Sequence, residues 1–364
     1  MTRPSRGVLL QGLALGVGAA LLFWLARNTA ANLDQRGMTL GFTFLAQPAG
    51  FEIGEGWLAY SPERSMARAI LVGLANTATV AVLGWILSMG VGFTLGLLRL
   101  TTNPALRAAV GGAVETLRNI PLLLLLLFLA ASLHALPAPE EALRPLPGMV
   151  LSARGLALAY PLLGSWHLGL GALLVVVVLG RRRLGRAAGP LSLGLVLVLA
   201  GALWLQPPAW SAPRFERFNF AGGVMLSPEF TALLVALVLH HGAHLSEVVR
   251  GAVLAVPTGQ WQAAAALGLS RGQAVRGVVL PQALRAMVPL LASGCVSLVK
   301  NSSLAVAIGF PDIVSVLNTT ANQTGHGIET MLLMIAAYLG LSLLVAAALN
   351  RYNDALLRRG ARPA

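Results

Sequence analysis

Eight apolar stretches separated by polar ones set the rhythm of the chain: residues 8–26, 69–98, 120–135, 167–180, 190–206, 229–249, 287–309 and 329–349. A helix needs about 20 apolar residues to cross a bilayer, so each stretch is predicted as a transmembrane helix, the fourth being the shortest. The pattern predicts an all-α integral membrane protein with about eight transmembrane helices. Arg3 and Arg6 precede the first stretch, as basic residues precede a signal peptide. Its apolar run is longer than the usual core of about 7–15 residues and no A-x-A site follows, so it is expected to stay as an anchor. The polar segments 28–65 and 136–166 are rich in Pro, Gly and single aromatics. They are expected to be ordered loops with a short helix or hairpin in each.

One polar stretch stands out against this alternation. Residues 258–285 read TGQWQAAAALGLSRGQAVRGVVLPQALR, with long apolar runs on either side. They predict two short helices and a hinge. Thr258 is expected to cap the first helix and Gly268 to end it in the left-handed turn that glycine accepts. Ser270 and Gln273 form a Ser-x-x-Gln capping box for the second, and Pro281, lacking an amide hydrogen, should bend or restart the helix that follows. The run from Ala263 to Ala266 has almost no side-chain bulk, so another protein's backbone can approach it closely. This is a docking surface rather than a catalytic loop.

Composition agrees with the apolar pattern. Of the 364 residues 56% are hydrophobic and 11% charged, whereas a soluble domain carries about 25% charged residues. The one cysteine, Cys295, excludes a disulfide framework and a Cys-based metal site. Charge adds an orientation. With the N-terminus inside, both termini are cytoplasmic. The inner side then holds Arg3, Arg6, Arg99, Arg107, Arg118, the arginines of 181–186, Arg250, Arg271, Arg276, Arg285, Arg351, Arg358, Arg359 and Arg362. Its only acids are Glu115, Glu247 and Asp354, while Asp34, Glu52, Glu55, Glu63, Glu140 and Glu141 fall outside. This is the positive-inside asymmetry of a membrane protein, and it places the island 258–285 in the cytoplasm. The net charge of +13 is therefore a topology signal. Membrane lipid is an expected partner and nucleic acid is not.

Chemistry is sparse. The only lysine, Lys300, precedes Asn301 without the glycines of a G-x-x-x-x-G-K-[ST] phosphate loop, so the chain is not expected to hydrolyse ATP. No G-x-S-x-G or H-E-x-x-H occurs, and no catalytic residue is assigned. Lys300, Asn301, Ser302 and Ser303 form the most polar stretch inside any span. Lys300 lies about 20 Å in from residue 287 at 1.5 Å per residue, a depth that costs at least about 2.5–3.5 kcal/mol for a charge. It is expected to face the bundle interior, paired or beside a water-lined substrate path; the alternative is a structural salt bridge or a side chain snorkelling near the outer interface.

Three further groups carry charge. His240, His244 and Glu247 share a helix face, at i, i+4 and i+7. A transition metal is one reading and polar contacts between helices another. One helix alone supplies the ligands, so no metal is expected. Glu247 and Arg250 are spaced to pair, as are Glu115 and Arg118 ahead of Pro121, which fits the start of a membrane helix. Glu115 and Arg118 belong either to the substrate path or to an interfacial helix. Asn76 and Thr77 are expected to hydrogen-bond between helices.

The island also carries a spacing. Gln262-Ala263-Ala264, Gly268, Val278 and Leu280-Pro281 fit the EAA-x3-G-x9-I-x-LP pattern, with Gln262 for Glu and Val278 for Ile. In this the chain resembles permeases of bacterial ABC importers, and the likeness extends over nearly the whole chain. ETLRNIPLLLLLLF, SPEFTALLVAL and SLVKNSSLAVAIGFPD resemble the polar-amino-acid branch for histidine and glutamine uptake. NTAANLDQRGMTLGFTFLAQPAGFEI, LPAPEEAL and RFNFAGGVMLSPEF resemble one permease subunit of proteobacterial general L-amino-acid and glutamate/glutamine/aspartate/asparagine importers.

The resemblance implies a type I permease core over residues 67–352, with an extra helix pair at 167–206. Residues 1–66 would form an N-terminal helix and outer segment, and 353–364 a cytoplasmic tail. It implies that Gln262, Ala263, Ala264, Gly268, Arg271, Val278, Leu280 and Pro281 couple to a cytoplasmic ABC ATPase dimer that binds ATP and Mg, with no cofactor in this chain. It further implies a homologous permease as heterodimer partner, a periplasmic amino-acid-binding protein, and residence in the bacterial inner membrane. The alternative is a stand-alone ion-coupled carrier or channel, in which His240, His244, Glu247 and Lys300 would form an ion relay.

Overall fold

A computed structural model of the chain describes residues 6–35, 41–179, 188–205 and 208–360. Arg3, Arg36, Arg362 and the arginines of 181–186 lie outside these. The fold is the expected helical membrane architecture with an addition: among the described residues, a four-stranded antiparallel sheet and two two-stranded ones. Among the described residues five helices are long and apolar enough to cross a membrane: Leu10–Thr29, Met66–Leu98, Pro228–Leu254, Arg271–Ile308 and Gly327–Arg351.

The other three expected crossings differ. The stretch 120–135 is the helix Leu122–His134, whose 13 residues reach only about 20 Å. It is the second arm of a pair with Pro104–Asn119, bent by 100°. Asn103 caps the first arm by accepting from the amides of Ala105 and Leu106, and Pro104 follows it. Ile120, pushed to an extended conformation by the proline after it, and Pro121 make the corner. Stretches 167–180 and 190–206 are the helices Ser165–Leu179 and Ala188–Leu205, 15 and 18 residues long, packed on each other. Eight expected crossings thus become five long helices, or six with the bent pair as one span, and a pair of shorter apolar ones.

The chain divides into two units, residues 1–76 with 311–340 and residues 77–310 with 341–364. In the first, the loop after helix Arg6–Gln35 packs Phe44 and Ala49 against Met66, Ala69 and Val316, all buried. The segment 28–65 holds a 3-10 turn at Thr43–Ala46 and a bridge from Pro48 to Ser65. Asn76 is buried and donates to the carbonyls of Glu55 (2.8 Å) and Pro311 (2.9 Å). It ties helix to loop instead of helix to helix.

Asp312 is 1% exposed and caps helix Ile313–Thr324, its Oδ1 accepting from the Ser315 amide at 2.8 Å. Burial pushes its carboxyl up to about 6, against an ordinary 3.8. The folded state therefore holds a proton that the unfolded state has lost between those values. Asp312 contributes stability below pH 4 that is lost as pH rises towards 6, by about 2–3 kcal/mol in full. Asp312→Asn keeps the cap acceptor, so its melting temperature in detergent should lose this decline. Parallel pH profiles for the two proteins would refute it.

The second unit is organised around helix Pro228–Leu254, begun by Ser227, whose hydroxyl accepts from the Phe230 amide, and by Pro228. The long helix Met66–Leu98 crosses it through glycines. A Cβ on Gly92 would lie 2.5 Å from that of Leu245, and one on Gly96 2.7 Å from that of Val249. Gly242 returns the fit, 2.8 Å from a Val91 methyl. This is a small-xxx-small contact in which bare backbone allows close approach. Next to it Leu245, Val249, Ala252, Val256, Val279, Ala283, Met287 and Leu291 form a buried apolar cluster.

The sheet pairs four antiparallel strands, β1 Leu143–Leu146, β2 Met149–Ser152, β3 Gly155–Leu158 and β8 Val224–Leu226. Val150, Ser152 and Ala157 alternate inward, as period-2 strands require. β4 Tyr160–Leu162 pairs with β5 Ala209–Ser211. β6 Arg214–Glu216 and β7 Asn219–Ala221 form a hairpin whose two-residue turn is Arg217-Phe218. Arg217 has φ +57, a left-handed conformation that costs about 1–2 kcal/mol without glycine. The expected hairpin in 136–166 is thus present as part of a larger sheet, assembled with strands from beyond residue 206.

Candidate functional site

The island is built as its residues dictate, with one exception. Helix Thr258–Ala266 begins after Pro257, so Thr258 is its first helical residue and no side chain caps it. At its end Gly268 has φ +73, its amide donates to the Ala265 carbonyl (2.9 Å), and the Leu269 amide donates to that of Ala264 (3.1 Å). This crossed pair satisfies the last carbonyls of the helix. Ser270 then caps Arg271–Ala274. Its hydroxyl accepts from the Gln273 amide, and the Gln273 side chain accepts from the Ser270 amide at 2.8 Å. A π-helical turn at Val275–Val279 leads into helix Leu280–Asn301, with Pro281 in its first turn. Pro281 therefore restarts a helix without interrupting the helical path, because the wide turn absorbs its missing donor.

Of the motif residues, Ala264 is buried under the island, Val278 and Leu280 are half-buried, and Gln262, Ala263, Gly268, Arg271 and Pro281 are exposed. Trp261 packs on the buried apolar cluster around Val279 and so anchors the island on its inner side, while Gln282 donates to Gln260 within the island. Beside it, Leu97–Thr102, Val253–Thr258 and Val275–Leu280 bound a groove of about 570 Å³. Leu267 is 80% exposed at the tip, an apolar side chain held in water next to bare glycine. Sequence reasoning passed over it, although an apolar residue between a helix end and a capping box was a readable signal.

The polar groups of helix Pro228–Leu254 divide between three neighbours. His240 and His244 are ring to ring at 4.7 Å. Helix Pro104–Asn119 packs against them and brings Arg118 within electrostatic reach of His244. Arg118 does not pair with Glu115, which is exposed; Arg118 Nε and His240 Nδ1 are buried without a hydrogen-bond partner among the described residues. Glu247 leaves the histidines and binds Arg99 at 2.6 Å together with Arg250, the expected i, i+3 pair. Buried His241, absent from the expected set, meets Asn301 at 3.2 Å and ties this helix to Leu280–Asn301.

Of the two expected placements, Lys300 does not take the one facing the interior of this chain's own bundle. It is exposed and lines, with Ser293, Ser297 and Asn350, an outward groove of about 410 Å³. Depth along a helix follows from sequence, but the direction a side chain faces is set by packing. Residues 293, 297 and 300 share one helix face, and the apolar positions of the opposite face took the interior. Ser302 is buried and Ser303 half-buried, their hydroxyls donating to the carbonyls of Val299 and Lys300.

The family described as "Binding-protein-dependent transport system inner membrane component" matches residues 88–359. The chain is 37% identical to the general L-amino acid transport system permease protein AapQ of Rhizobium johnstonii, over 96% of this chain and 91% of that protein. It is 34% identical to the glutamate/glutamine/aspartate/asparagine transport system permease protein BztB of Rhodobacter capsulatus, covering 96% and 93%. Among solved structures, the crystal structure of an amino acid ABC transporter with histidines superposes with a TM-score of 0.50 at 18% identity, covering 79% of this chain and 94% of that one. It is a likeness of fold.

Proposed function

Because the chain belongs to the family of inner-membrane components of binding-protein-dependent transport systems, as a multi-pass permease of an amino-acid ABC importer, we propose the following division of labour. A cytoplasmic ATPase dimer binds ATP and Mg and hydrolyses the nucleotide; this chain is non-catalytic. The island carries the proposal, since Gln262, Ala263, Gly268, Leu267 and Arg271 are exposed together on a rigid, doubly capped turn. The ATPase grips that surface, with Ala264, Val278, Leu280 and Pro281 fixing its shape. Both termini are cytoplasmic, and a periplasmic binding protein delivers substrate outside. Residues 67–352 are the transport domain, preceded by the helix and outer segment of 1–66 and followed by the tail 353–364.

The substrates are L-amino acids, with acidic ones and their amides among them. Exposed Lys300 on a polar stripe at membrane depth supports a path on the outer wall of this bundle, closed by a homologous second permease. Asn301, Ser302 and Ser303 line or brace it, and Arg118 with Glu115 forms its inner approach. Uptake into proteoliposomes should require the second permease, ATPase and binding protein. Ion-driven uptake by this chain alone would overturn the reading in favour of the carrier. Lys300→Ala should slow uptake of glutamate by about tenfold, as expected for a lost charged contact, with less effect on a basic amino acid. Equal, wild-type rates for glutamate, glutamine and arginine would remove Lys300 from the path.

A further inference from the structure

The hairpin Arg214–Ala221 is built more expensively than a connecting loop needs. Its strands pair in register, with Phe215 and Phe220 edge to face at 5.9 Å. Its base is fixed by Gly222 and Gly223, both at positive φ. A Cβ on either would lie within 2.8 Å of a carbonyl oxygen, that of Ala212 or Leu158. At the tip, Arg217 occupies the first turn position in the left-handed region, where glycine is preferred. Phe218 beside it is 78% exposed. A linker gains nothing from a rigid base and a strained arginine. Strain of this kind is held where a side chain must be presented.

We propose that this hairpin is a docking finger for the soluble substrate-binding protein, with Phe218 entering an apolar pocket on it and Arg217 meeting a carboxylate at the pocket rim. The proposal rests on the importer reading above, which puts residues 209–226 outside the membrane. Phenylalanine and arginine are both enriched at protein interfaces over the rest of a protein surface. A membrane surface would equally accept Phe218 as an interfacial aromatic. It would not need Arg217 held at φ +57 on a clamped base, since a relaxed loop reaches lipid as well.

The test uses the whole complex, this chain with the second permease and the ATPase dimer in lipid nanodiscs, titrated with glutamine-loaded binding protein. Phe218→Ala and Arg217→Gly should each raise the binding-protein concentration for half-maximal ATPase stimulation by about tenfold, while the maximum at saturation is retained. Arg217→Gly should do so with a melting temperature at or above wild type, which separates lost docking from damaged folding. Unchanged half-saturation in both variants, with wild-type stimulation intact, overturns the docking finger and leaves the importer reading standing. A wild-type complex that no binding-protein concentration stimulates overturns both. A spin label at Phe218→Cys, in a Cys295→Ser background, that reports lipid immersion would assign the tip to the membrane and also overturn the proposal.

Discussion

Gly268→Asp should strip the ATPase from the purified complex and abolish uptake, while the permease itself stays folded. The position separates the two effects cleanly. A Cβ added at Gly268 meets nothing within 4 Å, so no neighbour is displaced. Aspartate tolerates the left-handed conformation better than most residues, which limits the folding cost to about 1 kcal/mol. The loss falls on the partner instead. A carboxylate placed on a bare contact must be desolvated without a counter-charge, worth about 2–5 kcal/mol in an interface, or more than tenfold in affinity. ATPase co-purifying at wild-type stoichiometry, with uptake unchanged, would remove the island from the coupling role.

Gly96→Val should strongly destabilise the helical bundle. Its new side chain would sit 2.7 Å from the Val249 Cβ and 2.8 Å from the Ser246 carbonyl, both on rigid helical backbone. Neither can yield without separating Met66–Leu98 from Pro228–Leu254. The penalty is about 3 kcal/mol, the upper end for over-packing, and the melting temperature in detergent should fall by several degrees. Gly90→Val supplies the control: it lies on the same helix, and its Cβ meets nothing within 4 Å. Equal melting temperatures for the two variants would refute the glycine crossing.

What could be read from the sequence follows how far apart the interacting residues lie. The glycine ending at Gly268 and the box at Ser270 and Gln273 were legible because every partner is within six positions. The glycine crossing was not, since Gly92 and Gly96 acquire meaning only beside residues near 245, on another helix. His241 and Asn301 are 60 positions apart, and spacing on one helix carries no trace of that pairing. A hairpin in 136–166 was legible, but the strands beyond residue 206 were not, because three residues are too few to show alternation and β3 completes its pairing only with β8. Lys300 shows the limit most plainly. Its place along the helix was legible from the count of residues, its direction only from packing.

The helical path from Arg271 to Ile308 is 38 residues long, and it joins the exposed island to Lys300 without a loop between them. At 1.5 Å per residue, Lys300 is a little over 40 Å from Arg271. Over such a length a tilt of 5° at one end displaces the other by about 4 Å, roughly a side chain's reach. The helix is therefore geared: a small angular movement at the island is enlarged at Lys300 by length alone. The turn at Val275–Val279 sets the ratio, because any bending there spends rotation before it reaches the shaft.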